Sequence, residues 1–193
     1  MSRRTTNRLV VPVGPGDHVL GNPQAKLTLV EYGDYACPYS RHAFTTMAVL
    51  QRRLGSQLRF AFRHFPVVDR DPLAQEAAEA ALAAGAQGRF WEAHERLFSA
   101  DLDTLLADPA ALGRSLDLDV ARFTADLRDG TFRARVAEEA EGGVKSGIHG
   151  TPTFFINGAR FAGSWELQSL LHALRSRLRS LPAERAAQWA ATL

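Results

Sequence analysis

Cys37 is the only cysteine in the 193-residue chain, and it sits in "YGDYACPYSRHAF", residues 32–44. Its neighbours are suggestive. Pro38 suits the first position of a helix, and an apolar helical pattern follows. A thiol attacks as its thiolate, and the free N–H groups and dipole at a helix N-terminus favour that anion. The order strand, Gly33 turn, Cys-Pro and helix therefore predicts a reactive sulfur presented at a strand end, in place of an inert buried one. A Cys-x-x-Cys pair would put a second sulfur three residues on, where this chain carries Ser40. With one sulfur no internal disulfide forms, so Cys37 can make a mixed disulfide and something else must resolve it. The Ser40 hydroxyl is a poor nucleophile near neutral pH. It can still hydrogen-bond the thiolate.

The elements that would hold this thiol follow from periodicity. "KLTLVEY", 26–32, reads as a central strand. Phe44, Met47, Leu50 and Leu54 fall on one helical face, and Gly55 ends that helix. "LRFAFRHF", 58–65, is a second strand, which completes a βαβ unit with parallel strands. The next 75 or so residues show no strand pattern, and four or five short helices are expected there. They begin at Asp71-Pro72 and include "RFWEAHERLFS", "DPAALGRSL", "DVARFTADLRDG" and "TFRARVAEEAEGG". Strand character returns in "TPTFFINGARFAG", whose Asn157-Gly158 step signals a type I′ hairpin. A closing helix follows, capped by Ser164, with Leu167, Leu170, Leu171, Leu174 and Leu178 as its buried stripe. "LVVPV" near the start is read as an edge strand, since Pro12 excludes a central one.

These patterns divide the chain into an irregular lead-in (1–24), a βαβ half (25–70), an inserted helical domain (71–147), a ββα half (148–180) and a tail (181–193) that can form a short helix around Trp189. The fold class is α/β, with a mixed sheet of four or five strands, helices on its faces and an all-α insertion.

Composition narrows the partners. Hydrophobic residues make up 46% and charged residues 23%, and the formal charge is +2. That balance points to no nucleic acid and no membrane surface. "LVVPVG" is too short for a secretory apolar region of about 7–15 residues, and no run approaches the ~20 residues of a membrane span. The expected location is cytoplasmic. No metal site is expected, because no spacing pairs Cys37 with histidines as a zinc motif would. "GGVKSG" lacks the rest of a phosphate-binding loop. His42 is expected to point off its helix side, His64 to be a core histidine and His94 to be a packing residue.

Cys-Pro-Tyr-x after "VEYGDY", "FRHFP" after the second strand, a helical insertion and then "GTPTFFING" together resemble the DsbA-like branch of the thioredoxin superfamily. The similarity spans about residues 17–178 and is nearest to short cytosolic members and to thioredoxin-like domains appended to sodium/proton antiporters. The resemblance implies a thioredoxin-like fold with an inserted all-α domain, and a nucleophilic Cys37. It implies a cis peptide at Thr151–Pro152, although an X–Pro bond taken alone is expected to be trans. It also implies that Gly150, Thr151 and Pro152 face the cysteine, with Thr151 offering backbone groups to an extended substrate. Pro38 and Tyr39 continue the motif, and Ser40 departs from it at the position where the family usually has a second cysteine.

Glu31 shares a strand face with Leu29. It is either a partly buried proton acceptor near the thiol or a solvated edge carboxylate. His149 can approach Cys37 from the proline loop as a charge partner or remain an exposed loop residue.

The function that follows is thiol–disulfide exchange through one cysteine. Protein thiols and disulfides or glutathione would be the partners, with no tightly bound cofactor. Resolution would fall to an external small thiol, with glutathione as possible co-substrate, or to the substrate's own thiol. Two other readings stay open. One is a kappa-type glutathione-dependent transferase or isomerase, which the chain resembles at Pro38, Tyr39 and Ser40 but not at Cys37. The other is a non-catalytic thioredoxin-fold module that binds peptides or acts as a chaperone. Oligomeric state is not legible.

Overall fold

The structure is a computed structural model that describes residues 7–180. A five-stranded sheet has the order β1-β3-β2-β4-β5. Its strands are β1 (His18–Gly21), β2 (Leu27–Gly33), β3 (Leu58–His64), β4 (Thr153–Ile156) and β5 (Ala159–Arg160). β2 and β3 run parallel and the other pairs antiparallel. The parallel pair is joined by α1 (Pro38–Leu54), as the apolar pattern predicts, and Gly55 ends that helix at φ 51°. The hairpin between β4 and β5 turns at Asn157 and Gly158, both at positive φ, the backbone a type I′ turn demands.

Between β3 and β4 the described chain forms six helices: α2 (Leu73–Gly85), α3 (Phe90–Ser99), α4 (Leu102–Ala107), α5 (Pro109–Ser115), α6 (Val120–Asp129) and α7 (Arg133–Lys145). This exceeds the expected four or five. α4 has only six residues, too few for a periodic signal, and it is started by an Asp101 carboxylate that accepts the Thr104 N–H. Asp108 and Asp119 cap α5 and α6 in the same way. The closing helix is α8 (Leu167–Arg179), with Leu170, Leu171 and Leu174 buried. Ser164 does not cap it. Glu166 holds the N-cap position and Ser164 Oγ accepts the Glu166 N–H, because the helix begins beyond the reach of Ser164.

The helical segment is not a separate core. One cluster runs from Leu27, Leu29 and Phe60 of the sheet through Met47 and Leu50 of α1 to Leu97, Leu112 and Phe123 of the helices and Leu170 of α8. The opposite sheet face is smaller and buries Val30, Tyr32, Ala61, Phe155 and Ile148. Leu9 and Val13 of the lead-in pack there. The end of α7 does so too, at Gly143, where a side chain would strike Phe65.

The lead-in corrects two expectations. The segment 9–13 is no edge strand: Pro12 has no N–H to donate, and among the described residues the only sheet pairing nearby is a single Arg8–Ala159 bridge against β5. The irregular stretch 1–24 instead contains β1, paired with β3. Arg63 of β3 fastens the segment by donating to both Asp17 carboxylate oxygens, at 2.7 and 2.9 Å, and to the carbonyls of Val11 and Pro12. The short helix expected around Trp189 lies outside the described residues.

Two ionisable groups, the half-buried His18 and the buried Glu139, set an acid limit on this fold. Burial, then the neighbouring His64, holds His18 down at about 4. Its ring stacks on Phe90 with centroids 3.7 Å apart. A histidine depressed in the folded state takes up its proton first in the unfolded chain. Its stability contribution is therefore complete above pH 6.5 and is lost as the pH falls toward 4. Burial alone would raise Glu139, but His64 beside it at 2.8 Å and the His64 N–H bring it down to about 2. That contribution is lost between pH 4.5 and 2. The urea midpoint of His18→Gln is therefore expected to rise relative to that of the wild type as the pH falls from 7 to 4. A difference between the two midpoints that stays constant from pH 7 to 4 would refute this account of His18.

Candidate active site

β2 ends in the residue pair that builds the site. Leu27, Leu29, Glu31 and Gly33 alternate to the face that carries α1. A side chain at Gly33 would collide with Phe62, so the turn after β2 is compressed onto β3. Asp34 then organises that turn. Its carboxylate accepts the N–H groups of Ala36, at 2.9 Å, and Val67, at 3.1 Å, and its carbonyl accepts the Cys37 N–H at 3.1 Å. Cys37 is thereby held at the N-cap of α1 in extended backbone, with Pro38 at the first helical position.

The sulfur is not exposed as the sequence order suggests. Cys37 has 0% of its surface accessible, and its Sγ donates to the Thr151 carbonyl at 3.3 Å. The proline loop folds over the helix N-terminus, a contact between residues 114 positions apart that local patterning cannot register. The Thr151–Pro152 bond is cis, and Gly150, Thr151 and Pro152 are each half-buried. Thr151 Oγ1 is buried with no hydrogen-bond partner. Ser40 is also buried, but its Oγ accepts the Asp34 N–H at 3.3 Å. Among the described residues no hydrogen bond joins it to Cys37.

Glu31 is only 1% exposed, and its Oε1 has no hydrogen-bond partner. Burial, followed by the nearby Cys37 sulfur, pushes its carboxyl up to about 8. Of the two open readings for Glu31, the structure selects the buried one. The carboxyl has been brought into the range in which thiols exchange protons.

Around this buried centre Pro38 and Tyr39 face solvent, Tyr39 with 60% of its surface exposed. The Tyr39 and His42 rings meet Trp165 from the segment before α8, with centroids 6.4 and 4.8 Å from it. His149 is exposed and makes no hydrogen bond or ring contact with another described residue. His64 is a core histidine paired with Glu139, and the His94 ring packs among aromatic side chains. Among the described residues no group of His, Cys, Asp and Glu is placed to hold a metal, and no helix is long and apolar enough to cross a membrane.

Sequence reasoning passed over three residues of this site. An aspartate right after a strand-ending glycine is a recognisable turn former, so Asp34 had a local signal. Tyr35 and Arg41 had none, since their polar partners lie in α3 and the residue after it.

The sequence model of the thioredoxin family matches residues 14–175. The chain is 43% identical over 169 residues to a protein named Na(+)/H(+) antiporter NhaA 1 of Salinispora arenicola, a match covering 87% of this chain and 26% of that protein. The corresponding NhaA 1 of Mycolicibacterium gilvum is 37% identical over 172 residues, with 88% and 28% covered. The chain thus spans about a quarter of the length of these relatives. Among solved structures, a thioredoxin-like oxidoreductase from Silicibacter pomeroyi superposes with a TM-score of 0.74 at 29% identity, covering 88% of this chain and 95% of that one. Oxidised BdbD from Bacillus subtilis gives 0.78 at 23% identity, with 91% and 98% covered. Wolbachia pipientis α-DsbA1 gives 0.71 at 23%, with 89% and 95% covered. The fold superposes on these structures over most of its length, and the chain belongs to the thioredoxin family.

Proposed function

We propose that the protein catalyses thiol–disulfide exchange through Cys37 alone and depends on an external thiol to complete each cycle. The observation that carries this reading is the convergence on one sulfur of three features: the N-terminus of α1, the Thr151 carbonyl, and a buried carboxyl with an unpartnered oxygen. In the first step the Cys37 thiolate attacks a disulfide R–S–S–R′, forms Cys37–S–S–R and releases R′S⁻. The proton lost from the thiol goes to Glu31, whose raised pKa suits it to hold and return that proton. In the second step a thiolate R″S⁻ attacks the mixed disulfide, regenerates the Cys37 thiolate and leaves R–S–S–R″. Each attack exchanges one S–S bond for another, so no further oxidant is required. Ser40 cannot take the second step. Glutathione is a suitable resolving thiol, and protein disulfides are suitable substrates.

The buried sulfur means that access comes with displacement of the Thr151 carbonyl. A substrate strand pairing with the Thr151 backbone would make that displacement as it docks. Incubation of pure protein with oxidised glutathione should give one adduct by intact mass, reversed by added thiol. Cys37→Ala should give none. No adduct on the native wild-type protein would sink the catalytic reading. The burial of Cys37 specifically favours the rival, a thioredoxin-fold binding module, and a client peptide held equally well by wild type and Cys37→Ala would support that rival.

A further inference from the structure

We propose that α3 is the pedestal of the reactive turn, with His94 acting as a positioning residue for Cys37 through Tyr35. This rests on the reading of Cys37 as the reacting thiol.

Tyr35 lies two residues before Cys37, yet its side chain runs away from the sulfur into the helical lobe and is 1% exposed. Its hydroxyl meets His94 Nδ1 at 2.9 Å. Its ring packs against Phe98, Phe62 and His94, with centroids 4.6, 5.4 and 5.6 Å away. On the other side of the cysteine, Arg41 bonds its own N–H to the Cys37 carbonyl as the first turn of α1 closes. The Arg41 guanidinium reaches the carbonyls of Phe98 and Ala100 at the C-terminal end of α3. One helix of the insertion therefore grips the chain on both flanks of Cys37. Phe44, one turn further along α1, stacks on Phe98 at 5.3 Å and extends the same contact.

The grip has one proton arrangement. Burial pushes the Tyr35 phenol well above its ordinary value. Burial, then the nearby His64 and His18, holds His94 well below the imidazole range. The phenol keeps its proton and the imidazole is neutral, so Tyr35 O–H donates and Nδ1 accepts. A bond with fixed polarity in a buried site specifies one geometry, and loss of either partner leaves the other without a mate. Two anchors spanning residues 35 to 41 restrain the position of the sulfur under Thr151, and a shift of about 1 Å at a reacting atom costs on the order of a hundredfold in rate.

The test is the rate of adduct formation with oxidised glutathione, per folded molecule, for five proteins. Tyr35→Phe and His94→Leu remove one partner each and should slow the reaction by about tenfold to a hundredfold. His94→Asn places an amide oxygen near the Nδ1 position and should recover most of the wild-type rate. Leu174→Ala, a core change on α8, should lower the melting temperature while leaving the rate unchanged. Wild-type rates in Tyr35→Phe and His94→Leu would overturn the proposal. So would His94→Asn falling as far as His94→Leu, or Leu174→Ala slowing the reaction in step with its melting temperature. Amide hydrogen exchange at residues 34–37 reads the same positioning without thiol chemistry. If the wild-type protein makes no adduct, the functional reading fails. Faster exchange in Tyr35→Phe then still supports the pedestal, and unchanged exchange overturns it.

Discussion

Glu31→Gln is expected to raise folding stability by about 3 kcal/mol at pH 7, with no gain near pH 4. The carboxyl is pushed from 4.5 up to about 8 in the folded protein, by burial first and the Cys37 sulfur second. A group whose folded pKa is raised favours its protonated form. Below pH 4.5 both the folded and unfolded chains carry the proton, and nothing is lost. As the pH climbs from 4.5 toward 8 the unfolded chain ionises freely while the folded one resists, so stability declines by about 1.4 kcal/mol per pH unit. Glutamine has the same shape and no charge to desolvate, so the penalty disappears. For a chain of this size the gain at pH 7 corresponds to a melting temperature higher by roughly 6–12 °C. Thermal melts of wild type and Glu31→Gln at pH 4 and pH 7 check it. Equal shifts at both values would show that Glu31 carries no strain of ionisation. The same variant should turn over glutathione more slowly if Glu31 takes the thiol proton as proposed. Both outcomes together, higher stability and a slower reaction, would mark a stability–function trade-off at this one buried carboxyl.

Ser40→Cys should change the course of the cycle. Ser40 lies one helical turn beyond Cys37 and is buried at the same end of α1. A sulfur introduced there attacks the Cys37 side of a glutathione adduct, forms an internal disulfide with Cys37 and expels the glutathione thiolate. The step is intramolecular, so release in the absence of added thiol should be at least about a hundredfold faster than in the wild type. Intact mass after treatment with oxidised glutathione should show the wild type as an adduct and Ser40→Cys as an internal disulfide without glutathione. A persistent adduct on Ser40→Cys would mean that this turn cannot bring two sulfurs together and that the serine is not what limits the cycle.

Much of the fold was legible because its signals are local. The apolar run of β2, the one-sided pattern of α1, the Asn157-Gly158 turn and the leucine stripe of α8 each follow from spacing along a few residues. α4 escaped because six residues give no period. The lead-in was misread because a strand pattern interrupted by Pro12 looks like an edge strand until its pairing is known. The site divides along the same line. Cys37 at a helix start, the proline loop and the shared face of Leu29 and Glu31 are sequence features. Whether Glu31 is solvated was left open, because alternation gives a residue its face without saying what covers it.

Residue identity and short-range periodicity are enough to say which atoms can react and how many. They give one sulfur, a hydroxyl three residues on that cannot resolve a mixed disulfide, and a carboxyl on the same face of the preceding strand as Leu29. How the sulfur is held is a property of the folded chain. The Thr151 carbonyl covers it across 114 positions, and the Tyr35 hydroxyl is anchored to His94 across 59. Such contacts depend on how the helical segment folds back onto α1 and on how β4 enters the sheet. They are set by the packing of the whole core, and no window along the chain contains them.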